Sequence, residues 1–297
     1  MVGQIVVTGA TGNVGRKLAE SLLTGGVTVK ALGRNAERLT PLAQKGASTV
    51  VASLADAAQL ERAFAGASAV FAMVPPSHTD NEILSSQARI VDALAKAIRA
   101  ARVPRVVALS SIGAELPAGT GPIVSVHRLE QALSAIDGLN LVCLRPAYFM
   151  ENHLGSIGLI KQQGINGSPL LPERAFAQVA TRDIAAAAAE LLRSDRFTGR
   201  SVRYLLGPRD YTPIESTAIL GRAIGKPGLA FVRFEEAAMR QGLIAAAVAP
   251  RVADLFVEMY VAMNEGRIAS EARSTENTTP TTLERFASDT FAPAFRG

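Results

Sequence analysis

Three glycines at three-residue spacing, Gly9, Gly12 and Gly15, follow the apolar run Ile5-Val6-Val7 and open a helix-like segment. This arrangement lets a backbone hold a diphosphate. A phosphate pair sits at a helix N-terminus only where the preceding turn is tight, the N–H groups point outward and no side chain blocks the approach. Glycine meets all three conditions. The spacing alone also occurs where a strand and a helix merely pack closely, so the context matters. A strand precedes it, an amphipathic helix follows with Leu18, Leu22 and Leu23 on one side, and a second strand from Val27 to Leu32 arrives at the βαβ distance. Gly9, Thr11, Gly12, Asn13, Val14 and Gly15 are the expected cofactor-binding residues.

The end of the second strand decides between cofactors, because that position faces the adenosine ribose in a Rossmann domain. An NAD site places Asp or Glu there to accept from the 2′-hydroxyl. Here the chain reads Ala31-Leu32-Gly33-Arg34-Asn35, with no acid before Glu37. Arg34 offers a planar, permanently charged fork suited to a 2′-phosphate. NADP(H) is therefore expected in preference to NAD(H). The competing reading makes Arg34 a solvated residue at the start of the next helix.

Strand-like and helix-like segments alternate through the first half, the pattern of a parallel sheet covered on both faces. Strands are expected near 4–8, 27–32, 48–52, 69–74, 105–109 and 139–144, and helices over 13–24, 35–45, 56–65, 80–102 and 124–137. The fold class is α/β, a Rossmann-type doubly wound parallel sheet. Residues 1–150 form the nucleotide domain, with 176–206 returning to it. Residues 151–175 and 207–297 form a smaller substrate lobe. Function is expected just after each strand, at Gly9 to Gly15, Gly33-Arg34, Met73 to Pro76, Ser110-Ser111 and Arg145 to Asn152.

Composition narrows the class. The chain has 297 residues, 48% apolar and 19% charged, which fits a packed protein rather than a disordered one. No uninterrupted apolar run approaches the length of a membrane span, and the first strand leaves no room for a signal peptide, so a cytoplasmic protein is expected. The single cysteine, Cys143, lies in an apolar run, and a reducing compartment suits it. The +5 net charge is spread along the chain, which suits an anionic cofactor without arguing for nucleic acid. His78 and His153 have no companions at ligand spacing, so no metal is expected.

The glycine motif, with Thr11 and Asn13 inside it, resembles that of the extended and atypical short-chain dehydrogenase/reductases. Classical members pair Tyr-x-x-x-Lys, in which the lysine lowers the phenol pKa for proton exchange. This chain lacks the pair: Tyr148, Tyr204, Tyr211 and Tyr260 are followed four residues later by Asn152, Pro208, Glu215 and Asn264. Gly9-Ala-Thr-Gly-Asn-Val-Gly15, Gly33-Arg-Asn35, His127 shortly before Glu130, and Arg145-Pro-Ala-Tyr-Phe-Met-Glu-Asn152 together resemble the NmrA-like group of NADP-binding proteins. Within it the likeness is to the quinone oxidoreductase and triphenylmethane reductase branch. The resemblance implies cofactor contacts from Arg34, from Met73, Val74 and Pro75, and from Ala147 to Asn152, including Ala147, Tyr148 and Asn152. It also implies that Arg182 lies near the cofactor phosphates or the substrate lobe. One departure is Ala52-Ser53 in place of the usual Gly-Asp after the third strand, which removes an adenine contact.

Such a site can still reduce a quinone or a related flat, conjugated acceptor. Hydride addition gives a phenolate-type oxygen, a much weaker base than an alkoxide, so positioning in a dry pocket suffices. Tyr148 is expected nearest the acceptor, with Asn152 and His127 in support. Each has a structural alternative: Tyr148 and Phe149 as core aromatics, Asn152 as a helix cap, His127 as a hydrogen-bonding residue. Ser110 and Ser111 are expected only to close a strand end. The expected partner is a small-molecule acceptor, without nucleic acid or membrane, and the chain is read as a monomer or homodimer. A non-catalytic NADP(H) sensor is the alternative function.

Overall fold

A computed structural model describes residues 3–194 and 197–297. The strands are β1 (Ile5–Val7), β2 (Val29–Gly33), β3 (Ser48–Val51), β4 (Ala69–Ala72), β5 (Arg105–Leu109), β6 (Asn140–Pro146), β7 (Tyr148–Phe149), β8 (Ile165–Ser168), β9 (Phe176–Val179), β10 (Arg200–Leu205), β11 (Asp210–Tyr211) and β12 (Ala230–Arg233). The helices are α1 (Asn13–Thr24), α2 (Ala36–Gln44), α3 (Ala57–Phe64), α4 (Ile83–Ala100), α5 (Val124–Ser134), α6 (Ile157–Gln163), α7 (Thr181–Arg193), α8 (Pro213–Ala223), α9 (Glu236–Ala245), α10 (Pro250–Glu265), α11 (Leu283–Phe286) and α12 (Ala292–Arg296).

Among the described residues, seven strands form one parallel sheet in the order β10-β6-β5-β4-β1-β2-β3. The period-2 alternation of side chains divides each central strand between two cores. Ile5, Val7, Ala69, Phe71, Val107, Val142 and Leu144 face one side, where α1, α2 and α7 cover them with Leu18, Leu22, Leu39, Leu42 and Ile184. Val6, Val70, Ala72, Val106, Ala108, Leu141 and Cys143 face the other, under Leu60 and Phe64 of α3, Leu94 and Ile98 of α4, and Leu129 and Leu133 of α5. Burial on both faces explains why these strands read as continuous apolar runs. Leu18 and Leu22 are fully buried, and each contributes roughly 1.5–3 kcal/mol by leaving water.

The chain builds outward from β1 through β2 to β3, then crosses back to lay β4 on the other side of β1. The strand order therefore reverses between β1 and β4, where a doubly wound sheet opens a crevice at its carboxyl edge. The loops after these two strands are the Gly9 turn and Met73 to Pro75. Strand β4 ends at Ala72, two residues short of the expected Val74, which leaves Met73 in the crevice rather than in the ladder.

The remaining residues form a lobe with its own apolar cluster, including Met150, Ile160, Tyr211, Leu220, Leu283, Phe286 and Phe291. Two small sheets serve it, β11-β9-β7 and β12-β8. Helix α7 and strand β10 join the large sheet, and β9, paired with β7 and β11, packs Ala177 and Val179 into the same core. No described helix is long and apolar enough to cross a membrane.

Candidate functional site

The glycine turn is built by backbone conformation. Gly9 takes φ +61°, a left-handed value that suits glycine. A Cβ on Gly9 would stand 2.7 Å from the Met73 sulfur, so the two crevice loops are already in contact. The Gly12 N–H donates to Gly9 O at 2.9 Å, which closes the turn. A Cβ on Gly15 would collide with the Gly9 carbonyl, lying 2.8 Å from its carbon. Gly12 is the N-cap of α1 and supplies no side-chain acceptor, and the first turn carries no acid. The leading N–H groups of Asn13, Val14 and Gly15 thus lack a side-chain cap, a setting that suits an anion. These residues fit a dinucleotide diphosphate. Val14 is buried in the core beneath.

At the end of β2, Arg34 is exposed and Asn35 caps α2 by accepting from the Arg38 N–H at 3.1 Å. The Arg38 guanidinium reaches back to Thr11 O at 3.1 Å. Arg38 thus edges the glycine loop, and neither Arg34 nor Arg38 has a carboxylate partner among the described residues. Reading the sequence missed Arg38; its signal was a second arginine one helical turn beyond Arg34.

On the other wall, Met73 packs against both cores, Val74 is buried, and Pro75 O accepts from Gln87 Nε2 at 3.0 Å. The third segment hangs from β6. Arg145 donates to both Glu130 oxygens at 2.9 and 2.6 Å, to Glu115 at 2.9 Å and to Tyr204 at 3.0 Å. Ser110 donates to the same Glu130 carboxylate at 2.5 Å. This buried network fixes the carboxyl ends of β5 and β6, and breaking such a pair by removing one partner costs about 3–5 kcal/mol. Ser110 is thereby taken up in structure, as expected for a strand-end residue. Beside it, burial first and the Glu130 charge second push the Cys143 thiol up to about 12, which keeps it protonated and inert.

Beyond β6, the Ala147 N–H donates to Leu205 O at 3.0 Å. Glu151 accepts from the Thr181 N–H and hydroxyl, so it caps α7, while Lys17 donates to Thr181 Oγ1 at 2.8 Å. Lys17 also donates to Asn13 O at 3.2 Å, which couples this segment to the glycine-loop helix. The sequence motif contained Glu151 but gave no hint that it binds a helix start thirty residues later.

Tyr148 is partly buried, with its ring edge-on to Phe176 at 5.3 Å and to His153 at 5.8 Å. Tyr260 of α10 and Asn152 lie close enough to its hydroxyl to act on it electrostatically. Burial raises its pKa well above the ordinary phenol value, Tyr260 adds to the rise, and Asn152 opposes it. Burial likewise raises Tyr260. His153 bonds Gln178 Oε1 at 2.8 Å, and burial lowers its pKa, so the ring is neutral. Tyr260, Phe176 and Gln178 lay outside the sequence-based site because each comes from a segment without a motif.

A cavity of about 190 Å³ is lined by Phe176 with Ile112, Leu170, Arg174, Met263 and Ile268. Phe176 is common to the cavity and to the Tyr148 ring pair.

Of the two remaining expected residues, His127 lies away from the crevice and Arg182 turns to the C-terminal segment of the lobe. The His127 Nδ1–H donates to Ala114 O at 2.7 Å, and its ring lines a surface groove between α4 and α5, on the outer face of the sheet. Arg182 donates to Thr281 Oγ1 at 3.0 Å and pairs with Asp289 at 3.3 Å, which ties α7 to the C-terminal segment. Among the described residues no cluster of metal-ligating side chains occurs.

Comparisons with known proteins agree with this geometry. A relative from Streptomyces griseus, the (4-alkanoyl-5-oxo-2,5-dihydrofuran-3-yl)methyl phosphate reductase, is 34% identical over 90% of this chain and 89% of that protein. The Escherichia coli NADPH-dependent quinone oxidoreductase, complexed with NADPH, has the same fold, with a TM-score of 0.82, 24% identity and coverage of 97% of this chain and 99% of that one. So has the Citrobacter triphenylmethane reductase complexed with NADP(H), at TM-score 0.80, 22% identity and 97% and 99% coverage. Residues 9–195, from the first glycine of the turn to the end of the α7 region, match the model of the NAD(P)H-binding family, and the chain belongs to that family.

Proposed function

We propose that this protein is an NADPH-dependent reductase of a flat, conjugated acceptor such as a quinone. The observation that carries the reading is a cavity lined by Phe176, whose ring packs edge-on against Tyr148, on the lobe side of a glycine turn that fits a dinucleotide diphosphate. The streptomycete relative, named for reduction of an alkanoyl-substituted oxo-dihydrofuran, supports a conjugated carbonyl acceptor.

The roles of the residues follow from their placement. The N–H groups of Asn13, Val14 and Gly15 hold the diphosphate, and Arg34 with Arg38 holds the 2′-phosphate, which selects NADPH over NADH. Met73, Val74 and Pro75 on one wall and Ala147 to Asn152 on the other bound the nicotinamide end. When bound, NADPH supplies a hydride. Phe176 and Ile112 offer an apolar surface to a planar acceptor and keep water away. Tyr148 and Tyr260 present an O–H to the oxygen on which charge develops. Their raised pKa makes them hydrogen-bond donors rather than proton sources, since a phenol that holds its proton this firmly does not transfer it to a phenolate. The product takes its proton from water. No lysine is needed in this scheme.

The test is loss of NADPH absorbance with a panel of quinones and triphenylmethane dyes, beside titrations of NADPH and NADH binding. Turnover that disappears when Gly12 is replaced by a bulky residue supports the reductase. Tight NADPH binding with no turnover across the panel overturns it in favour of a cofactor sensor. Tighter binding of NADH would show that Arg34 and Arg38 do not read a 2′-phosphate.

A further inference from the structure

The cavity beside Tyr148 has an apolar wall and one charged edge. Three of the arginines around this part of the lobe are neutralised: Arg273 binds Asp210, Arg267 pairs with Glu265 at 2.6 Å, and Arg209 pairs with Glu215 and Glu284 at 3.3 and 3.6 Å. Asp210 is the carboxylate that lines the cavity, and Arg273 occupies it. Arg174, which also lines the cavity, differs. Its Nη1 donates to the Asn264 carbonyl at 2.7 Å, and it has no carboxylate partner among the described residues.

That single bond orients the group without consuming it. Asn264 also accepts from the Leu171 N–H at 2.9 Å and donates to Pro169 O at 3.0 Å, so the loop carrying Arg174 is laced to the end of α10. Nη2 lies against Gly266, whose φ of +77° and missing side chain leave room for it. A guanidinium has five N–H donors. Here most of them remain available, at a fixed position, at the edge of an apolar cavity. Arg174 is exposed, and a permanent cation on the cavity wall favours a ligand oxyanion through a charge-assisted fork.

We infer that the acceptor carries an anionic oxygen group, of the phosphate, sulfonate or carboxylate type, and that Arg174 is the residue that recognises it. This rests on the reductase reading. The conjugated part of the acceptor lies against Phe176, and the anionic group lies on Arg174. The anion thereby sets which carbon faces the hydride donor, so Arg174 determines specificity without touching the reacting atoms.

The experiment compares 1,2-naphthoquinone with 1,2-naphthoquinone-4-sulfonate, two acceptors that differ by one anionic group, in the wild type and in the Arg174→Gln and Arg174→Lys variants. The expected result is that the sulfonate-to-neutral ratio of kcat/KM falls about tenfold in Arg174→Gln, as for loss of one charge-assisted pair. Arg174→Lys restores part of it, and high salt lowers the wild-type ratio. An unchanged ratio in Arg174→Gln overturns the inference, as does an equal loss on both acceptors, which would mark a structural role. If neither quinone is turned over by the wild type, the reductase reading fails separately. Equilibrium dialysis of the sulfonate against the NADP-loaded protein then decides: binding about tenfold weaker in Arg174→Gln upholds the anion site, and equal binding or none overturns it.

Discussion

The two ends of the crevice are made differently. At the glycine turn the working groups are backbone N–H donors, set by the φ of Gly9 and the close approach of Gly15, within seven consecutive residues. At the acceptor end they are side chains from β7, β9 and α10, brought together from positions 148, 176 and 260. A backbone site is rigid and indifferent to what lies beyond it. A side-chain site made from three elements can be altered at any of them while the fold persists, which is how one cofactor frame serves many acceptors.

The sharpest break of this contrast comes from Gly15. Replacement by valine forces a Cβ into the Gly9 carbonyl, backbone that has no rotamer by which to yield. NADPH affinity is expected to fall by at least about 100-fold, with roughly 1–3 kcal/mol of stability lost to overpacking. Gly12 is the control: its Cβ would meet Gly9 O at 3.3 Å, a contact the loop can relieve, so Gly12→Ala is expected to bind NADPH far better than Gly15→Val. Titration of NADPH with each variant, beside a thermal melt, checks the order.

At the other end, Tyr148→Phe removes one phenol of the pair and leaves the ring packing against Phe176. The expected loss is about 10- to 100-fold in kcat, smaller than for removing a fully preorganised oxyanion donor because Tyr260 keeps its own O–H. KM for NADPH should hardly move. Equal losses in kcat and in NADPH affinity would show that the two ends are not separable. Tyr260→Phe should cost less if Tyr148 lies nearer the acceptor.

A third change acts at the cofactor end but is made by side chains. Arg34→Ala and Arg38→Ala each delete a guanidinium beside the 2′-phosphate position, and each is expected to lower NADPH affinity about tenfold while sparing NADH. The double variant should bind the two cofactors alike. Loss of NADH binding in either single variant would mean that the residue supports the loop rather than the phosphate, a role the Arg38 bond to Thr11 makes testable.

The same division explains what could be read from the sequence. The sheet, helix α1 to the residue, and the glycine turn all rest on local spacing, and they stand as expected. The Arg-Pro-x-x-Phe-Met-Glu-Asn stretch located Tyr148 and Asn152 but not what they touch. Tyr260 sits in α10 as one more aromatic on a helix face, and nothing in its neighbours marks it. His127 shows the reverse error: its place in the motif suggested chemistry, yet it donates to a loop carbonyl on the outer face of the sheet. For Arg182 the resemblance left the cofactor phosphates and the substrate lobe both open, and its side chain runs to Thr281 and Asp289 of the C-terminal segment. Local pattern specifies backbone, and tertiary packing specifies which side chains meet.

His153 gives the smallest effect and tests whether the acceptor end is held by neutral hydrogen bonds. Burial lowers its pKa from the ordinary 6.5, while the Gln178 bond and the Glu151 charge oppose the shift. The unfolded chain therefore takes up a proton as pH falls through about 6.5, where the folded protein resists doing so. More protons bound in the unfolded state means that stability rises with pH below that value and is lost as pH drops through it. His153→Gln keeps a partner for Gln178 and removes the titration. Its stability curve from denaturant melts should be flatter than the wild type's between about pH 6.5 and 5, by about 1 kcal/mol over the interval. Parallel curves would mean that the imidazole protonates freely in the folded protein, and the acceptor end would then be wetter than its packing around Tyr148 implies.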